Sequence, residues 1–256
     1  MKFVIATLLA LTVWSFFPQP NLSAEADFQN NVQRFIKTME SRDRTTIADL
    51  VAYPLHREVP LPRIDTPKQF LQYFDEVFDE QLLRAISRSR VTDDWAEVGW
   101  RGIMFNNGLL WLDANGKISA INYQTEKGKR ERARLIKAEK SHLHGSLQQF
   151  QEPVLEWKTR DYRIRIDRTS KTRYRYAAWP IHRRVSEKPD LLLDNGKLLF
   201  DGSGGNHHYD FKKGDYLYRC SVNIIGADDM PPGELEVRKN NGVIMSQPVI
   251  EVITGR

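Results

Sequence analysis

The sequence predicts an α+β unit followed by an all-β antiparallel unit, either a sandwich or a small barrel. Three observations carry this. Apolar residues recur at helical spacing from residue 27 to about residue 90, the period switches to two after Asp93-Asp94, and beyond Pro153 short apolar runs alternate with turn residues. A chain of 256 residues has room for two domains of roughly 100–150 residues each. The division read from it is a signal peptide at 1–26, an α+β domain at 27–125, a basic helical linker at 126–152 and an antiparallel β domain at 153–256.

Met1-Lys2 places a positive charge before the apolar run Phe3 to Phe17. Ala24-Glu25-Ala26 supplies small residues where a signal peptide is cut, with cleavage after Ala24 as the alternative. The run of 15 residues is shorter than the roughly 20 that cross a bilayer as a helix. No later stretch is apolar enough to span, so the expectation is an exported protein, periplasmic or secreted, in a bacterial envelope. Cys220 is the only cysteine, which excludes an internal disulfide or a cysteine-based zinc site.

Phe28, Val32, Phe35, Ile36 and Met39 predict a helix over 27–40. A short helix from Asp43 carries Ile47, Leu50 and Val51 up to Tyr53-Pro54, and Arg57 to Ile64 is extended or loop. Thr66-Pro67-Lys68-Gln69 starts the next helix, with Thr66 as N-cap and Gln69 closing a capping box. Phe70, Phe74, Val77 and Phe78 share its face, and Leu82, Leu83 and Ile86 continue after a break near Asp79-Glu80. Then Val98, Trp100 and Met104 alternate with Glu97, Arg101 and Phe105, and Asn106-Asn107-Gly108 and Asp113-Ala114-Asn115-Gly116 turn the chain into further strands. In the second half, strands run over segments such as Tyr162 to Asp167, Arg173 to Trp179 and Tyr216 to Ile225, with turns at Asp194-Asn195-Gly196, Lys212-Lys213-Gly214 and Asn240-Asn241-Gly242.

The order of elements over about 27–125, with the capped Phe-rich helix and the hairpins at Met104 to Trp111 and Leu112 to Ile118, resembles the cone-shaped nuclear-transport-factor-2-like superfamily. The resemblance implies helices packed on a curved sheet, with a cavity between them that holds a ligand or active site in some members and is only core in others. On that reading Trp100, Arg101, Trp111, Phe74 and His56 stand near the cavity wall. Asp75 and Glu76 flank the apolar stripe and face water.

Charge is unevenly placed. Residues 126–185 hold 17 Lys and Arg against 7 Asp and Glu, while both flanks are slightly acidic. Strand alternation puts Arg163, Arg165, Arg173 and Arg175 on one face of a predicted hairpin and Tyr162, Ile164, Ile166, Tyr174 and Tyr176 on the other. Four like charges on one surface call for acidic neighbours or an anionic ligand. Two readings stay open: a solvated face with Glu156 or Glu187 as partners, or a site for an acidic protein or an anionic envelope component. Export and the lack of a recognition-helix pattern speak against nucleic acid.

Asp201-Gly202-Ser203-Gly204-Gly205-Asn206-His207-His208-Tyr209-Asp210 is the most site-like segment. His207 and His208 point to opposite faces of a strand, while His208 and Asp210 share one, and two ligands do not make a metal site. The segment reads as an irregular connection, with a small-ligand loop as the functional alternative. Cys220 alternates with Tyr218 and Val222 on an apolar face, and no nucleophile motif, metal set or cofactor signature stands out. The leading functional reading is therefore a non-enzymatic envelope protein, of inhibitor or immunity type, that binds an anionic partner through the arginine face. The alternative is a small-ligand carrier or enzyme using a cavity in the first domain.

Overall fold

The structure, a computed structural model, describes residues 22–240 and 242–255. The apolar run assigned to a signal peptide lies outside the described residues. The chain is α+β, with helices, a four-stranded antiparallel sheet and a curled nine-stranded antiparallel sheet. None of the helices among the described residues is long and apolar enough to cross a membrane.

Helix α1 covers Leu22–Ser41 and buries Val32, Phe35 and Met39. Helix α2, Arg44–Asp49, is capped by Asp43, whose carboxylate accepts from the amides of Thr45 and Thr46. These bonds favour the charged form and hold the Asp43 carboxyl below its ordinary pKa, with the Thr46 hydroxyl contributing most. Helix α3, Pro67–Val77, is capped by Thr66, which accepts from the Gln69 amide. The capping box takes a variant form: the Gln69 side chain accepts from the amide of Asp65, one residue further back than expected. The chain breaks at Phe78, and Asp79 caps α4, Glu80–Ser87, through the Leu82 amide.

After the single turn α5, Val91–Asp94, come β1, Trp95–Glu97, β2, Ile103–Phe105, β3, Leu110–Leu112, and β4, Ile118–Ile121, paired in that order. The predicted alternation fails between β1 and β2. Residues Gly99–Arg101 form a 3-10 turn, and Gly102 closes it at φ 89° because a Cβ there would meet the Leu112 carbonyl oxygen at 2.1 Å. Trp100 is consequently 70% exposed. The helices and this sheet enclose one apolar core from Val32 to Ile118.

Helix α6, Glu126–His142, follows, capped by Thr125, and leads through a 3-10 turn at Gly145–Leu147 into the large sheet. Its strands are β5, Glu152–Lys158; β6, Tyr162–Ser170; β7, Arg173–Pro180; β8, Leu191–Phe200; β9, His207–Lys213; β10, Tyr216–Val222; β11, Gly233–Lys239; β12, Gly242–Pro248; and β13, Glu251–Thr254. Each pairs with its predecessor up to β12, and β13 returns to β5. The turn expected at Asp194-Asn195-Gly196 is instead a bend within β8, which pairs with β7 through its first half and with β9 from Lys197 onward. Gly196 sits there because a Cβ would overlap the Phe211 ring at 2.0 Å. Strand β12 was not anticipated, and Tyr216 to Val222 ends three residues before the predicted limit.

The curl brings the ends of the meander together on one segment. Val249 donates to the Gly233 carbonyl at 2.9 Å, and the next amide, Ile250, donates to Lys158 in β5 at 2.9 Å. Trp157 of β5 packs beside Gly233, where a Cβ would lie 2.5 Å from the ring and 2.6 Å from the Ser221 oxygen. Gly233→Ala should therefore cost ~1–3 kcal/mol in chemical denaturation through overpacking, with Gly242→Ala, whose nearest neighbour is a backbone oxygen at 3.5 Å, as the control. Equal stability of both variants would contradict this closure.

Candidate functional site

The outer face of β5, β6 and β7 carries the predicted arginines, and register explains their neighbours. Asp167 lies directly opposite Arg175, and Glu156 opposite Arg165. Arg165 Nη1 donates to Glu139 Oε1 of α6 at 2.5 Å and lies 3.4 Å from Glu156 Oε2, while Nη2 is 2.6 Å from Asp167 Oδ1. Arg175 donates to Asp167 Oδ2 at 2.8 Å and to the carbonyls of Ser146, Leu147 and Gln149. Arg163 pairs with Glu156. Burial works against the Arg165 charge, but the Asp167 and Glu139 carboxylates outweigh it and hold the guanidinium above its ordinary pKa.

The expectation of one open arginine surface is corrected by this geometry. Arg165 is 1% exposed, Arg175 is buried, and only Arg173, bonded to the Asn195 side chain at 2.9 Å, stands at the surface. The cover is the connector itself: Leu143, Leu147 and Phe150 pack on Ala177 and Trp179 of β7. Phe150 lies beneath the Arg165 guanidinium at 5.2 Å and the Lys140 ammonium at 4.6 Å. Glu156 is a partner as read from the sequence; Glu187 instead pairs with Arg183.

In the 201–210 segment His208 Nδ1 bonds Asp201 Oδ2 at 3.0 Å, and its Nε2 stands 3.8 Å from Asp210. Asp210 is clamped by two 2.8 Å bonds from Arg219. His207 turns away to the Gly205 carbonyl and the rings of Phe200 and Tyr209. Among the described residues no group of three His, Cys, Asp or Glu side chains could hold a metal ion. Asn206 fixes the loop by accepting from the Ile224 and Ile225 amides, and Arg101 donates to the Ser203 carbonyl at 3.0 Å.

The predicted first-domain cavity residues do not converge. Phe74 is core, packed edge-on against Phe70 at 5.8 Å and stacked with Phe78 at 5.6 Å, while Trp95 and Phe105 lie 4.7 Å apart. Trp100 and Arg101 are on the exposed turn, Trp111 is half-buried on β3, and His56 is exposed at the edge of a cleft of about 300 Å³ that this unit forms with α6. Phe70, Phe74, Phe78, Trp95 and Phe105 all belong to the first unit's apolar core. Glu76, expected to face water, is mostly buried and paired with Arg57.

An apolar cavity of about 280 Å³ lies elsewhere, at one end of the curled sheet. Tyr162, Tyr176 and Trp179 line it from β6 and β7, Tyr216 and Tyr218 from β10, and Met245 from β12. Its lower wall is Leu235, Val237 and Tyr176, the last 5.4 Å from Phe211 in the core below. Gln247 of β12 accepts from the Thr159 hydroxyl at 2.8 Å and donates to Asp161 at 2.6 Å, tying β12 to the turn between β5 and β6. Sequence reasoning placed Tyr162 and Tyr176 on the inward face but did not anticipate a cavity in this unit. The signal it passed over is the repeated Tyr at alternate positions of both hairpins.

No family model matches the chain, and neither a curated protein nor a solved structure does.

Burial, the largest cause in each case, raises the Tyr176, Tyr209 and Tyr218 phenols, and raises Tyr53 and Tyr123 to about 12. The folded state therefore holds protons that the unfolded chain releases near the ordinary value of 10.0. This contribution to stability is complete below pH 10 and is lost as pH rises through 10 toward 12 and beyond. A phenolate absorbance titration should show Tyr53, Tyr123, Tyr176, Tyr209 and Tyr218 ionising later in the native protein than in denaturant. A native titration with a single midpoint near 10 would contradict the burial described here.

Proposed function

We propose that the protein is an exported, non-enzymatic binding protein whose β unit, a small closed antiparallel barrel, holds a small flat apolar ligand at its open end. The observation that carries this is the aromatic-lined cavity of about 280 Å³. Its walls are mostly ring faces and aliphatic side chains, which favours burial of apolar surface, and Tyr and Trp add polar edges that orient a ligand. Asp190 is the one carboxylate on the wall. The export reading rests on the charged and apolar order of the first 17 residues.

In this proposal the domain plan remains the one read from the sequence, 27–125, 126–152 and 153–256, with a nuclear-transport-factor-2-like first domain as rigid support. An anionic partner remains the weaker reading, since Arg163, Arg165 and Arg175 already meet carboxylates of the same chain. No general acid, base and nucleophile meet at the cavity wall, so chemistry is not invoked.

The neutral fluorophore N-phenyl-1-naphthylamine tests the reading. It should bind the parent saturably, and Met245→Trp or Leu191→Trp should weaken binding roughly tenfold by occupying the space. Equal binding by parent and both variants, or none by the parent, would overturn it.

A further inference from the structure

Strand β12 is one free end of the nine-stranded sheet, and its pairing with β11 fixes which of its main-chain groups are taken. Val249 donates to the Gly233 carbonyl, so by antiparallel alternation Gln247 and Met245 also bond toward β11, opposite Leu235 and Val237. Ser246 and Pro248 then turn their main-chain groups the other way. Among the described residues no main-chain group meets the Ser246 N–H and C=O or the Pro248 C=O on that side. Sheet edges are often blunted by charged side chains, but β12 holds none, and its Val243 and Ile244 are 51% and 58% exposed. The opposite end of the sheet differs: β13 carries Glu251, bonded to Lys158, and lines no part of the aromatic cavity.

The β12 edge and the cavity are contiguous. Ile244 and Met245 line the cavity from β12, with Tyr162, Pro180 and Leu191 of β6, β7 and β8 on other walls. Residues directly opposite in an antiparallel pair share a face. A strand laid beside β12 would therefore direct the side chain opposite Met245 into the cavity, while the next residue exchanges both main-chain bonds with Ser246. A free small ligand fills the cavity but leaves this edge unpaired. The β12 of a second copy would bring only Met245 and Gln247 to the inward face, and its Gln247 is already held by Thr159 and Asp161 of its own chain.

We propose that the free edge of β12 receives an extended, uncharged segment of a partner protein as an added antiparallel strand, with one of its apolar side chains seated in the aromatic cavity. This rests on the reading of that cavity as an apolar binding site and names what occupies it. Main-chain bonds supply affinity in such strand addition, and the pocket selects the side chain.

The probe is the acetylated, amidated peptide Lys-Thr-Val-Thr-Phe-Thr-Val-Thr-Lys, titrated into the full chain by calorimetry and in competition with N-phenyl-1-naphthylamine. It should bind saturably and displace the fluorophore. Ala in place of the central Phe should weaken binding roughly tenfold or more. N-methylation of the two Thr that flank the Phe blocks main-chain bonds to β12 and keeps the ring, and should also cost roughly tenfold. Ser246→Pro removes an outward N–H that the β11 ladder does not use, so it should weaken the peptide to a similar degree and leave fluorophore binding unchanged. Fluorophore binding without peptide binding would overturn the proposal and leave the cavity reading standing, whereas binding of neither would overturn both. Peptide binding that survives N-methylation, or survives in a folded Ser246→Pro variant, would overturn it as well. A dimeric parent with a monomeric Ser246→Pro variant in sedimentation would assign the edge to a second copy, against the proposal.

Discussion

The arrangement of the second half of the chain depends on a buried set of three guanidiniums and three carboxylates. Arg163, Arg165 and Arg175 meet Glu139, Glu156 and Asp167 on the outer face of β5 to β7. Five of these six lie on neighbouring strands, where register alone brings them together. Glu139 comes from α6, and the carbonyls of Ser146, Leu147 and Gln149 come from the segment after it. The network thereby fixes where the connector lies. Charges removed from water are costly unless well paired, so the connector cannot leave without exposing apolar surface and taking Glu139 from Arg165 and three carbonyls from Arg175.

That docking shapes the rest of the β unit. With the outer face covered by Leu143, Leu147 and Phe150, β6 and β7 are buried on both sides. The inward residues of the same strands, Ile164, Ile166, Tyr174 and Tyr176, fill the lower part of the curled sheet, and only its end near Tyr162, Trp179 and Tyr218 stays open. A buried polar lining on one face and an apolar cavity on the other follow from a single alternation of Arg and Tyr along two strands. The connector's other end, through Arg132 to Val59, ties the same segment to the first unit.

Much of this was legible because it is local. The helix start near Asp43, the Thr66 cap, the break near Asp79 and the inward tyrosines follow from short-range patterns that the structure reproduces. What was not legible is long-range. Whether an arginine row faces water or a helix depends on where Glu139 lands, and nothing in the spacing of Arg163 to Arg175 encodes that. Trp100 was misplaced for a local reason: Gly99 and Gly102 both take positive φ and interrupt the strand alternation. Asn195 and Gly196 carry turn chemistry yet serve as a bend, because β8 must pass from β7 to β9. Element order alone could not report that Phe74, Phe78 and Trp95 belong to the first unit's core, or that the aromatic cavity lies in the second half of the chain.

The most direct measurement is a double-mutant cycle between Glu139→Gln and Arg165→Met, read by chemical denaturation of the full chain. Coupling of about 1–3 kcal/mol, within the range for residues of one ion-pair network, is the result this account predicts. Additive effects, with coupling below about 0.5 kcal/mol, would mean that α6 does not depend on the sheet's buried charges and would contradict it.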